Sequence, residues 1–186
     1  LVLPKGLTNT YFCNSGAEAN DAALKLARKV TGRRKVVSTQ GSFHGRSFNT
    51  LSVSRGTDNT SRYLPQLADI SIVPHADTAA LAAVLDHETA AVIVEPVQGE
   101  GGVRIPSLAW LSEVEALCRQ HGAMLIVDEI QTGFCRTGKF FALEHSPTPI
   151  QPDFLTMAKG IAGGFPFAPF AVNEAVNARI QKDDHG

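Results

Sequence analysis

Ala90-Ala91-Val92-Ile93-Val94 and Met124-Leu125-Ile126-Val127 are two unbroken apolar runs, and between them Leu108, Leu111, Val114, Leu117 and Cys118 recur at helical spacing. A strand with no polar alternation is one buried on both faces, which is the condition inside a parallel sheet covered by helices. The three segments together therefore predict a βαβ unit. Working outward, Gly16 to Val30 reads as a helix, with Ala19, Ala23, Leu26, Ala27 and Val30 on one face, an Asp21–Lys25 pair on another and Gly32 as its stop. Short strands are expected at Lys35 to Thr39, Ile70 to Val73 and Phe154 to Met157, and an Ala-rich helix from Asp77, its cap, to Leu85. The alternation predicts an α/β fold: a doubly wound, mostly parallel sheet with helices on both faces.

The chain has 186 residues, 44% of them hydrophobic and 19% charged, enough for one globular domain with a core. Repeats, low-complexity tracts and Gly/Ser/Pro-rich linkers are absent, so one continuous domain is expected. A net charge of −1 with scattered Lys and Arg gives no footprint for nucleic acid and no polybasic stripe for a membrane surface. No apolar run reaches the roughly 18 residues needed to cross a bilayer, and the start lacks the layout of a secretory signal. The expected partner is a small molecule and the expected location cytoplasmic. Cys13, Cys118 and Cys135 have neither metal-type nor redox-type spacing, and no metal site is expected.

In open parallel sheets, ligands sit beyond the carboxyl ends of the strands. There the sequence puts its unusual polar residues: Glu95 after one apolar run, Asp128 after the next, Lys159 after the third. Taken singly, such an Asp is more often a helix cap and such a Lys a solvated charge.

Their surroundings are more specific. Val127-Asp128-Glu129-Ile130-Gln131-Thr132-Gly133 and Thr156-Met157-Ala158-Lys159-Gly160-Ile161-Ala162-Gly163-Gly164 resemble stretches of the class III, ornithine/acetylornithine-type aminotransferases, which depend on pyridoxal 5'-phosphate (PLP). The likeness continues, in the family's order, through Asn14-Ser15-Gly16-Ala17-Glu18-Ala19-Asn20, Ser42-Phe43-His44-Gly45-Arg46, Glu95-Pro96-Val97-Gln98-Gly99-Glu100-Gly101-Gly102 and Arg136-Thr137-Gly138. It implies that residues 1–186 are the large domain of PLP fold type I, with the family's N-terminal segment and C-terminal small domain outside this stretch.

The resemblance also implies roles. Lys159 would carry the cofactor and serve as the base that moves a proton at the substrate. Asp128 would pair with the pyridine nitrogen and keep it protonated, and Gln131 would bond the ring's phenolic oxygen. Ser15, Gly16 and Ala17 would hold the phosphate at a helix N-terminus, and Phe43 would lie on the ring face. Arg46, with its planar fork, would take a substrate carboxylate, and Glu100 would gate the substrate side. None of the histidines His44, His75, His87, His121 and His145 receives a catalytic role. The implied reaction is transfer of an amino group between an ornithine-type amine, N-acetylornithine first, and 2-oxoglutarate, in arginine biosynthesis, by a homodimer. Ornithine, succinylornithine and 4-aminobutyrate stay open as donors, as does a non-catalytic truncated domain, and a mitochondrial location if a transit peptide precedes the chain. Two places depart from the family's pattern: Phe134-Cys135, where small residues or Met are more usual, and Gln40-Gly41, in place of an acidic-polar pair.

Overall fold

A computed structural model describes residues 2–54 and 68–185. In chain order the elements are β1 (Leu7–Cys13), α1 (Gly16–Thr31), β2 (Lys35–Thr39), α2 (Phe48–Val53), β3 (Ile70–Val73), α3 (Thr78–Val84) and β4 (Thr89–Val94). There follow α4 (Trp110–His121), β5 (Met124–Asp128), β6 (Phe154–Thr156), β7 (Ala168–Asn173) and α5 (Glu174–Asn177). The strands form one seven-stranded sheet in the order β1-β7-β6-β5-β4-β2-β3. From β6 to β3 every pairing is parallel, and β7 runs antiparallel to both its neighbours, β6 and β1. The sheet is therefore mostly parallel, as the apolar runs require.

The pleat divides each central strand between two cores. Ala91 and Ile93 of β4, Ile126 of β5 and Phe154 of β6 face a cluster built on α1, with Ala19, Ala23, Leu24, Leu26, Ala27 and Val30. Val92 and Val94, Leu125 and Val127, and Leu155 face the opposite cluster, with Leu81 of α3 and Trp110, Leu111, Val114 and Cys118 of α4. All six residues of β4 are buried, which is why its sequence shows no alternation.

Helix α1 begins at an N-cap, Ser15, whose hydroxyl accepts from Glu18 N at 3.3 Å, and ends at Gly32, left-handed at φ 71. Asp77 caps α3 by accepting from Ala80 N at 2.8 Å. Three details differ from expectation. The Asp21–Lys25 pair does not form: Asp21 accepts from the Ser47 hydroxyl, and Lys25 donates to the His185 carbonyl at 2.9 Å. Leu108 precedes α4 and is 63% exposed, because the helix starts at Trp110, whose indole fills the core instead. The antiparallel strands β1 and β7 are additions to the expected set.

Strand order turns outward in opposite directions from the β2/β4 pair, towards β3 on one side and towards β5 and β6 on the other. That reversal opens a crevice at the carboxyl ends of the strands.

Candidate active site

The crevice holds a cavity of about 330 Å³, lined among others by Ser15, Gly16, Phe43, Asp128, Gln131 and Lys159, and also by His44 and Glu95. Six of the expected site residues thus meet at one place, from four separate parts of the chain. Ala17 is the next residue of the α1 first turn. Its Cα and Cβ lie so close to Gly45 that a side chain there would meet Ala17 Cβ at 2.8 Å and Thr50 Oγ1 at 2.5 Å, so the loop after β2 is pressed against the start of α1. Arg46 and Glu100 are not among the lining residues. The Arg46 guanidinium is exposed and lies 5.6 Å from the centre of the Phe43 ring, a cation–π contact. Glu100 is exposed on the short hairpin in which Gln98 pairs with Arg104.

Gly16 and Ala17 are in the first turn of a 16-residue helix, so no carbonyl within it accepts their backbone N–H groups. Those donors and the positive end of the helix dipole favour an anion beside the cavity. Gly16 also lies close under Ile130, whose Cδ1 a Cβ there would meet at 2.8 Å. Lys159, also lining the cavity, follows β6 with a left-handed φ of 45, a conformation costly for a side-chain-bearing residue and tolerated where the surroundings impose it. Its amine donates to Gln131 Oε1 at 2.6 Å. Gly99 leaves room for the Gln131 amide, since a Cβ there would sit 2.3 Å from its nitrogen.

Asp128, 3% exposed, ends β5 and meets three donors. Its Oδ2 accepts from Asn20 Nδ2 at 2.7 Å and pairs with His44 Nδ1 at 2.8 Å, and its Oδ1 accepts from Ile130 N at 3.0 Å. The fully buried Asn20 also donates to the His44 carbonyl at 2.8 Å and accepts from Thr156 Oγ1 at 2.7 Å, joining α1, the β2 loop, β5 and β6. Asn20 and His44 were not singled out from sequence. The legible signal for Asn20 is an amide in the apolar stripe of α1, four and seven residues before the buried Leu24 and Ala27.

Two further carboxyls are buried nearby. Burial pushes Glu95 up to about 7, against the pull of His44 and of backbone donors from Phe43 and Gly99, and its Oε1 accepts from Phe43 N at 2.9 Å. Burial likewise pushes Glu129 up to about 7; its two oxygens take the Thr132 hydroxyl and Leu143 N, tying the loop after β5 to the turn at Ala142–His145. In the unfolded chain these groups ionise near 4.5. Between that pH and about 7 the unfolded state has released protons that the fold retains, so each carboxyl makes stability fall as pH rises through that window. The loss is on the order of 3 kcal/mol per group. His75 and His185, lowered first by burial, act in the opposite sense below their ordinary 6.5, so the comparison must be differential. Relative to the unsubstituted chain, Glu129→Gln is expected to gain stability between pH 5 and pH 8, read from urea midpoints; parallel profiles would contradict it.

The departures at Phe134-Cys135 are accommodated by left-handed backbone at both residues, φ 59 and φ 66, with the Phe134 ring edge-on to Phe140 and Phe141. A second, more apolar cleft of about 500 Å³ shares Gln131 with the first and is lined by Val103, Ile105, Leu108 and Arg136 among others.

The residues present fit a phosphorylated aromatic aldehyde: an amine for the aldehyde, a carboxylate for a ring nitrogen and free helix N–H groups for a phosphate. Comparison with known proteins points the same way. The family described as Aminotransferase class-III matches residues 2–186. The acetylornithine aminotransferase of Methanopyrus kandleri is 45% identical over 183 residues, 98% of this chain and 46% of that protein. A LysW-aminoadipate semialdehyde transaminase of Deinococcus radiodurans is 45% identical over 191 residues, 100% of this chain and 43% of that protein. An ornithine aminotransferase from Toxoplasma gondii, solved with partial occupancy of PLP at its active site, superposes with a TM-score of 0.90 at 34% identity, covering 97% of this chain and 45% of that one. The chain spans under half the length of the curated relatives named here.

Proposed function

Since the chain belongs to the class-III aminotransferases, we propose that it is the PLP-binding large-domain portion of an enzyme that moves the amino group of N-acetylornithine to 2-oxoglutarate. The observation that carries this reading is the meeting of Lys159, Asp128 and the α1 N-terminus around one cavity. PLP, when bound, supplies an electron sink that lets a substrate amine exchange with a keto acid.

The chain's own residues supply the rest. Gly16 and Ala17 N–H groups, with the Ser15 cap, would hold the phosphate. Asp128 would accept the ring N–H and favour its protonated form. Phe43 would lie on one ring face, and Gln131, whose Oε1 is taken by Lys159, would offer its amide nitrogen to the phenolic oxygen. Lys159 Nζ, the one amine among the described lining residues, is the covalent anchor. Released from that role, it stays within reach of Gln131 and carries the proton removed from the substrate carbon. Arg46 takes a substrate carboxylate and Glu100 stands at the substrate side. The parent enzyme works as a cytoplasmic homodimer in arginine biosynthesis.

A second donor, ornithine itself, is favoured by the 0.90 superposition with the Toxoplasma gondii ornithine aminotransferase. Incubation with PLP, borohydride reduction and peptide mapping test the cofactor site: a pyridoxyl group on Lys159 alone is expected. Labelling spread over surface lysines would remove the proposal. A panel of N-acetylornithine, ornithine, succinylornithine and 4-aminobutyrate, each with 2-oxoglutarate, then identifies the donor, and turnover of N-acetylornithine slower than the others would overturn that choice.

A further inference from the structure

We infer that His44 is a positioning residue for Asp128, fixing its carboxylate so that a single acceptor site is left for the cofactor ring; the inference rests on the PLP reading above. A carboxylate offers about four acceptor sites, two per oxygen. On Asp128, Oδ2 is filled by Asn20 and His44, and Oδ1 has Ile130 N on one side. What remains is one site on Oδ1, on a side chain that lines the cavity.

His44 itself is held on three sides. Its N–H donates to Ser54 Oγ at 2.8 Å, its carbonyl accepts from Asn20 at 2.8 Å, and its ring, fully buried, meets Asp128 through Nδ1. An ionised carboxylate only accepts, so Nδ1 carries the proton. Nε2 is buried and has no hydrogen-bond partner among the described residues. A residue present only to fill space would not carry that desolvation cost, because an apolar side chain of similar volume avoids it. The ring's donor to Asp128 is the gain that offsets it. Asn20 holds the same oxygen from α1, so the carboxylate is clamped between the helix that binds the phosphate and the loop that carries Phe43. Cofactor nitrogen, phosphate site and ring-stacking residue are thereby kept in register by one buried network.

Two measurements test this. In the ¹⁵N-labelled chain without cofactor, the His44 ring is expected as the Nδ1–H tautomer; the Nε2–H tautomer would overturn the inference. In the PLP-loaded chain, His44→Asn, whose amide can donate from about the Nδ1 position, is expected to hold the cofactor close to the level of the unsubstituted chain. His44→Gln and His44→Leu, which place no donor there, are expected to release it about 10–100-fold faster and to shift its absorbance towards the form with an unprotonated ring nitrogen. If all three variants fold and behave alike, His44 acts by packing alone and the inference fails. If the unsubstituted chain does not retain PLP, the functional reading fails and this one with it. If it does retain PLP, and Asp128→Asn loses it while His44→Gln does not, only the positioning role falls.

Discussion

Replacing Lys159 by alanine is expected to slow amino transfer by about 10⁴-fold or more while leaving the fold nearly as stable as before. The two halves of that expectation come from different observations. The side chain is exposed and, among the described residues, hydrogen-bonds the exposed Gln131, so its removal opens no core and strands no deeply buried partner. Surface changes of this kind fall within about 0.5 kcal/mol. The left-handed backbone at φ 45 is as costly for alanine as for lysine, so no strain is relieved. Function, on the proposed reading, would lose both its covalent anchor and its proton carrier in one step. A small primary amine added to the solution can enter a cavity of about 330 Å³ and restore part of the proton transfer. Stopped-flow measurement of the half-reaction with N-acetylornithine, with and without ethylamine, reads both effects. Undiminished turnover by the variant would exclude Lys159 from the chemistry.

The parts of the fold that were legible are those in which burial is symmetrical. β4 and β5 have helices on both faces, and their sequences consequently have no polar positions to obscure them. β1 and β7 were not legible for opposite reasons. In β1, Leu-Thr-Asn-Thr-Tyr-Phe-Cys, an edge strand half open to solvent, most positions are polar or exposed. In β7, Pro169 sits inside the strand opposite Phe12, and a proline argues against a paired strand because it cannot donate to the ladder. It is tolerated because its carbonyl still accepts from Met157 N at 2.9 Å. At the site, Lys159, Asp128, Gln131, Phe43 and the α1 turn were named from a resemblance that several linked motifs carry together, and they line one cavity. The clamp on Asp128 was not readable, because Asn20 and His44 reach it across 108 and 84 residues of chain and their purpose appears only once those stretches meet. Local sequence reports what a residue is; the contact reports what it holds.

That clamp makes Asp128→Asn the most informative change. Donors converge on Asp128, whereas burial pushes two other carboxyls at the ends of the central strands, Glu95 and Glu129, up to about 7. Asparagine is nearly the same shape, yet it offers one accepting oxygen where the carboxylate offers two. Three donors approach Asp128: Asn20 Nδ2 and His44 Nδ1 at Oδ2, and Ile130 N at Oδ1. If the amide oxygen takes the first two, its NH₂ faces the Ile130 N–H; if it is flipped, NH₂ faces both Asn20 and His44. Either way a buried donor loses its acceptor, at a cost of about 1–3 kcal/mol. The first arrangement is the less costly, and it turns a donor, not an acceptor, towards the cofactor's ring nitrogen. On the proposed reading that nitrogen would then have no group to keep it protonated, and the half-reaction is expected to slow by about 10²–10³-fold. Asp128→Ala, which leaves all three donors unmatched, should lose more stability than Asp128→Asn. Urea midpoints for the two variants and the half-reaction rate for Asp128→Asn separate the structural from the chemical part. A variant that unfolds earlier yet transfers the amino group at the original rate would leave Asp128 a structural acceptor with no hold on the cofactor.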